Sequence, residues 1–304
     1  MNAASCGHEP TSGLFYEVLG TRDTGSAPVL FIHGAGATGA CWRATPDGRA
    51  GWADLLAGRG RECWLTDWPG TGRSGGRDAL DIGFAELVEG YRILLRDVLG
   101  RPATVLCHSM GGAIAWQLVA REPALVAGVV SVAGAYPGNL APRSAVLADD
   151  GTVLDVAFAD TGVHFRVDRT RPYLYEDAYV RGQAVATSTR LLEGDLPRLK
   201  ASFVGIPPRV LLQRLGVIDG LPGVDDPSGF ADKKIRLLAG PEDPAHTHEI
   251  ESRTVEQLRA WGADADLTWL PELGIDGNGH FMFHEDNSEE LLDVVERLLG
   301  EVRG

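Results

Sequence analysis

Cys107-His108-Ser109-Met110-Gly111-Gly112 follows the apolar run Thr104-Val105-Leu106 and precedes a helical pattern from Ala113 to Ala120. A strand that ends in x-His-Ser-x-Gly-Gly and turns at once into a helix reads as a nucleophile elbow. The sharp turn lifts the Ser109 hydroxyl out of the sheet and aims the Met110 amide toward whatever Ser109 attacks. Small residues flank the serine because strand and helix pack closely there. The first position of G-x-S-x-G is Cys107 rather than Gly, and Cys is small enough for the turn. The competing reading makes Ser109 an ordinary helix N-cap.

A serine hydroxyl needs a base, usually a His held by a carboxylate. Of eight histidines, His280 is the candidate. It lies in Gly274-Ile275-Asp276-Gly277-Asn278-Gly279-His280, after the predicted strand Asp266–Trp269 and before the last helix, where a loop can bring the imidazole over the elbow. The alternative is a surface-loop histidine, and His284 is the rival base. His108 is read as a support of the elbow and His33 as a brace for the loop after its strand; His8, His164, His246 and His248 carry no comparable claim. The candidate acid is Asp243, in Gly240-Pro241-Glu242-Asp243-Pro244 at the carboxyl end of a predicted strand, where sites sit in open α/β sheets. Glu242 is its possible substitute, and an Asp-Pro turn is the plainer reading. An oxyanion hole needs two amides aimed at the developing charge. Met110 supplies one, and Ala35 in His33-Gly34-Ala35-Gly36 the other, with Gly36 as the next choice. Gly36, His108, Phe281 and Met282 are the candidate substrate contacts; Phe281, Met282 and Phe283 equally suit a core.

Around these residues strand and helix patterns alternate. Strands are expected at Leu14–Leu19, Val29–Ile32, Cys63–Thr66, Val126–Val132, Ile235–Ala239 and Asp266–Trp269. Helices are expected at Trp52–Ala57, Phe84–Leu99, His248–Trp261 and Ser288–Leu299. Such βαβ units imply a mostly parallel, doubly wound sheet flanked by helices. The rhythm breaks between 135 and 231, a stretch too long for a loop. It reads as an inserted cap, partly helical around Glu176–Leu192 and Pro208–Leu215. The core is then 14–134 with 232–304, and 1–13 is an N-terminal extension. Asp67-Trp68-Pro69-Gly70-Thr71-Gly72-Arg73-Ser74 lacks the Lys of a phosphate loop and reads as structural.

The 304 residues carry 28 basic and 42 acidic side chains, a net charge of −14. That field disfavours nucleic acid and anionic membranes as partners, and serves solubility equally well. The four cysteines, Cys6, Cys41, Cys63 and Cys107, have no metal or disulfide spacing. Met1 to Pro10 has neither a basic nor an apolar signal region, and no apolar run reaches membrane-spanning length. The expected location is the cytoplasm.

Four motifs in this order, His33-Gly34, Asp67-x-Pro69-Gly70-x-Gly72-x-Ser74, His108-Ser109-Met110-Gly111-Gly112, and Asp243 with His280, resemble the α/β-hydrolase superfamily. The resemblance covers about 14–133 and 235–299 and implies the α/β-hydrolase fold, with the order Ser109…Asp243…His280. A narrower likeness links Thr38-Gly39-x-x-Trp42, Thr45-Pro46-Asp47-Gly48-Arg49-x-Gly51-Trp52 and Leu270-Pro271-x-Leu273-Gly274-Ile275-x-Gly277-Asn278-x-His280-x-Met282 to a small group of bacterial carboxylesterases. In that group the acid is a Glu after the sixth strand and cysteines stand next to His-Gly. Here Val132-Ala133-Gly134-Ala135 holds no carboxylate, and Ala35-Gly36 replace the cysteines.

The expected activity is a serine hydrolase that cleaves a small-molecule ester or lactone without cofactor or metal. Thioester release, cyclisation, or carbon–carbon bond hydrolysis of a biosynthetic intermediate would use the same groups. Interfacial lipolysis and a non-hydrolytic binding module are further readings. Epoxide and haloalkane hydrolysis require a carboxylate nucleophile, which Ser109 excludes. The cap residues Arg166, Arg169, Arg171, Tyr173, Tyr175, Tyr179 and Arg181 could bind an acidic or aromatic group, or form a solvated face. Oligomeric state is not legible.

Overall fold

A computed structural model describes residues 5–21, 25–159 and 161–302. The chain opens with β1 (Ser5–His8) and β2 (Phe15–Leu19), then β3 (Val29–Ile32), α1 (Trp52–Gly58), β4 (Cys63–Asp67) and α2 (Phe84–Ile93). β5 (Ala103–Ser109), α3 (Gly111–Arg121) and β6 (Val126–Gly134) complete the first half. One sheet runs β1-β2-β4-β3-β5-β6-β10-β11, where β10 is Lys234–Ala239 and β11 is Asp264–Trp269. β1 and β2 pair antiparallel at one edge, and the six strands from β4 to β11 are parallel.

The central strands read as continuous apolar runs because both faces are covered. Side chains alternate between faces, so Leu30, Val105 and Val129 join one apolar cluster while Phe31, Leu106 and Val130 join the other. The first cluster packs under Leu87 and Tyr91 of α2, Ile114 and Trp116 of α3, and Leu258 of α7 (His248–Ala260). The second packs under Trp52 and Leu56 of α1 and Leu291 and Val295 of α8 (Ser288–Glu301). This layering is the expected doubly wound sheet.

The structure refines three expectations. The N-terminal extension contributes a strand to the main sheet. Residues 1–4 lie outside the described residues, but Ser5–His8 adds an edge strand, and the buried Glu9 carboxylate collects the amides of Thr11 and Ser12. The 135–231 stretch holds a second, antiparallel sheet of β7 (Ala145–Asp149), β8 (Val153–Ala157) and β9 (His164–Asp168). Its alternation is short but present: Leu154, Val156, Phe165 and Val167 face inward and their neighbours do not. The helical part of Glu176–Leu192 is α4 (Asp177–Tyr179), continued without a break by a π-helix, Val180–Val185. Residues 188–190 instead bond to the loop that carries His280. Two further short helices, α5 (Leu196–Ser202) and α6 (Pro208–Arg214), finish the insertion. Among the described residues no helix is long and apolar enough to cross a membrane.

Candidate active site

β5 ends at Ser109 with φ +51°, a left-handed conformation that costs a β-carbon-bearing residue about 1 kcal/mol. The cost is held by packing on both sides of the turn. A Cβ on Gly111 would stand 2.6 Å from the Ile32 carbonyl oxygen, and one on Gly112 would stand 2.7 Å from that of Ala135. The Ala135 amide donates to the Ser109 carbonyl (2.7 Å). Cys107 is fully buried between β3 and β6, where its small side chain fits the place of the usual glycine. Met110, not Ser109, is the N-cap of α3, and it makes no side-chain cap. The Ser109 hydroxyl points elsewhere: it donates to Nε2 of His280 at 3.0 Å.

His280 Nδ1–H donates to Oδ2 of Asp243 at 2.6 Å. Asp243 is 2% exposed, and its other oxygen accepts from the Ala245 amide (3.0 Å). Burial alone would raise its proton affinity, but the facing His280 and His246 rings and these hydrogen bonds outweigh it and hold the carboxyl below its usual range. Glu242 turns away and accepts from the Thr187 hydroxyl of the insertion. His284 is also remote from this chain of bonds: it packs on Phe283, and burial pushes its proton affinity down to about 3.

His280 is held from behind. The buried Glu285 carboxylate accepts from the Gly279 amide (2.8 Å), the Asn278 amide group (2.5 Å) and the Ser188 hydroxyl (2.6 Å). His108 Nε2–H donates to the His280 carbonyl (3.0 Å). His108 is 1% exposed and packs against the His280 ring at 4.6 Å, so it positions the His280 loop rather than contacting substrate, which corrects one expectation. Met282 is another: it is completely buried in the α8-side cluster and acts as core.

The loop after β3 crosses the elbow at van der Waals distance. A Cβ on Gly34 would meet Ser109 Cβ at 2.7 Å and Oγ at 3.3 Å. His33 braces this loop. Its Nδ1–H donates to the Gly34 carbonyl (2.7 Å), its Nε2 accepts from the Trp68 amide (3.2 Å), and burial holds it neutral, down to about 4. Ala35 and Met110, the residues next to this contact, are each 5% exposed. Gly36 has φ +71° and faces the Tyr175 ring, and its carbonyl accepts from Val204, so the insertion is seated on this loop. Asp67 anchors the next loop by accepting from the amides of Gly39 and Arg73 and from the Arg73 guanidinium, a structural role.

In the insertion the arginines and tyrosines separate. Arg166, Arg169, Arg171 and Arg181 pair with Asp155, Asp149, Asp168 and Glu193 on the outside. Tyr175 and Tyr179 stack at 4.3 Å, with Tyr175 over Gly36 and Tyr179 beside Asp243 and His280 around a cavity of about 30 Å³. A larger cavity, about 360 Å³, opens between α5 and the loop 37–46, with Cys41, Leu199, Phe203 and Phe281 in its wall. The Phe281 ring also meets the His280 ring at 5.2 Å, so one side chain borders both the cavity and His280.

Sequence reading missed Glu285 and the buried pair His246–Glu251 beside Asp243. Their only sequence signal is proximity: Glu285 follows His280 by five positions, and His246 follows Asp243 by three. The side-chain ligand atoms of Asp243, His246 and His280 lie within 4.8 Å of one another, a set of the kind that can hold a metal ion. Asp243 and His280 already spend their facing atoms on each other, so the set reads as a proton-handling chain.

A mostly parallel sheet, a strained serine at the end of its central strand and a histidine–carboxylate pair over it define the α/β-hydrolase architecture. The chain belongs to the alpha/beta hydrolase family, whose model matches residues 29–294. It is 27% identical to the probable secreted lipase phiG of a fungal species (strain ATCC 74256), across 92% of this chain and 83% of that protein. Its fold is similar to that of a thermophilic esterase from Thermogutta terrifontis (TM-score 0.61, 15% identity, 99% of this chain and 100% of that one). The haloalkane dehalogenase DbeA of Bradyrhizobium elkani USDA94 is similar too (TM-score 0.63, 19% identity, 98% of each chain).

Proposed function

We propose that this chain is a serine esterase that hydrolyses a small-molecule carboxylic ester or lactone through an acyl-enzyme. The observation that carries this reading is the unbroken chain Ser109 Oγ–His280 Nε2 (3.0 Å) and His280 Nδ1–Asp243 Oδ2 (2.6 Å). Ser109 adds to the carbonyl as its proton passes to His280, and Asp243 steadies the imidazolium. The amides of Ala35 and Met110 receive the oxyanion. His280 then protonates the leaving alcohol. A water, deprotonated by His280, cleaves the acyl-enzyme and restores Ser109. No cofactor or metal enters these steps.

Similarity to the lipase and the esterase supports ester chemistry. The dehalogenase shares the fold, but Ser109 has no carboxylate with which to displace a halide. The cavity of about 360 Å³ beside Phe281 is our choice for the acyl group. Its apolar Leu199, Phe203 and Phe281 favour an uncharged chain, with Arg198, which donates to the Pro46 carbonyl, in the same wall. The test is turnover of nitrophenyl esters of graded acyl length, a γ-lactone and an acyl thioester. Ester or lactone turnover that exceeds thioester turnover supports the proposal; turnover of the thioester alone contradicts it.

A further inference from the structure

Behind Asp243 lies a second histidine–carboxylate pair that the proposed reaction leaves unused. His246 Nδ1–H donates to Oε1 of Glu251, in the first turn of α7, at 2.7 Å. The two side chains are 3% and 1% exposed. The His246 ring lies 5.2 Å from the His280 ring with 20° between their planes. The His246 amide also donates to the Asp243 carbonyl (3.3 Å), so the pair and the acid share one turn. Among the described residues, the buried Oε2 of Glu251 has no hydrogen-bond partner. An apolar pair would fill this space without the desolvation that a buried ionisable pair suffers. A buried ionisable pair on the same turn as Asp243 is placed to act on that carboxylate.

The groups that face His246 come from five elements: Asp243 after β10, Glu251 on α7, His280 before α8, Arg214 on α6 and His108 on β5. Burial opposes a proton on His246, and Arg214 adds to that opposition. Asp243 and then Glu251 outweigh both and raise its proton affinity above the ordinary 6.5. His108 is held neutral by burial.

We propose that His246, held by Glu251, is a positioning residue for the acid: it keeps Asp243 ionised and turned to His280, and so extends hydrolysis to lower pH. This rests on the Ser109–His280–Asp243 reading. The test is the pH profile of kcat/KM on a short nitrophenyl ester for the wild type, His246→Gln and Glu251→Gln, each normalised to titrated active sites. The loss in His246→Gln is expected to grow as pH falls, with the acid limb displaced upward by about one unit and activity near pH 5.5 down about tenfold. Glu251→Gln should move the limb in the same direction by less. Limbs that coincide with the wild type in both variants overturn the proposal, as does a loss equal at every pH. If a variant fails to fold, histidine NMR on the wild type decides. A His246 that holds its proton above pH 6.5 supports the proposal, and a neutral His246 at about pH 6 overturns it. Failure of the underlying reading looks different: hydrolysis then survives Ser109→Ala.

Discussion

Oδ2 of Asp243 and Nδ1 of His280 meet at 2.6 Å although 37 positions separate them in the chain. The contact fixes which ring nitrogen carries the proton and leaves Nε2 free to accept from Ser109. Asp243→Asn keeps the shape but lets an amide donate toward Nδ1, which stabilises the wrong tautomer. We predict that kcat falls by about 10³–10⁴ with KM little changed. Steady-state kinetics on a nitrophenyl ester check this, and loss of less than about tenfold would move the acid elsewhere.

Gly34 is set by space. A Cβ there would lie 2.7 Å from Ser109 Cβ and 3.0 Å from His108 Nδ1. Gly34→Ala must displace the nucleophile or the loop that crosses it. A shift of about 1 Å costs on the order of 10² in kcat. The variant should remain folded by circular dichroism, and it should lose rate rather than binding.

The architecture was legible wherever apolar runs lie between two covered faces. Val29–Ile32 and the elbow strand stood out because both sides of each are buried. Ser109, Asp243 and His280 were legible because each closes a strand or precedes the last helix, and one sheet end brings those positions together. The insertion was not. In β7 every residue is exposed, and β8 and β9 show only two inward side chains each, too few for a period to emerge. The supports of the site were hidden for another reason. Glu251, Glu285 and His246 are polar residues buried by tertiary contacts alone, and no local pattern marks them.

Acid should weaken the fold partly through Asp67. Burial raises its proton affinity, but the Arg73 guanidinium and the amides of Arg73 and Gly39 outweigh that and hold it below the usual 3.8. A carboxyl with a lowered folded-state pKa stabilises the fold above its unfolded value. That contribution is lost as pH falls through the folded-state value. Asp67→Asn should be about 1–2 kcal/mol less stable at neutral pH, because Arg73 is 40% exposed and keeps its pair with Glu17. Between about pH 5 and pH 2 its stability should fall less steeply than that of the wild type. Urea unfolding across that range measures both.

Phe281 stands between the 360 Å³ cavity and the His280 ring. Phe281→Ala should open that wall and shift preference toward longer acyl chains, by about tenfold in the ratio of kcat/KM for long over short esters. The same change removes a side chain that is 5% exposed and should lower stability by about 3 kcal/mol. An unchanged chain-length profile in a folded variant would place the acyl group elsewhere.

The central claim is that Ser109 is the nucleophile. Intact-protein mass spectrometry after a fluorophosphonate probe, paired with ester hydrolysis by the same samples, tests it most directly. The account predicts one adduct on the wild type, mapped to Ser109, and for Ser109→Ala no adduct with hydrolysis reduced by about 10³ or more. Full labelling or full hydrolysis in Ser109→Ala would contradict it.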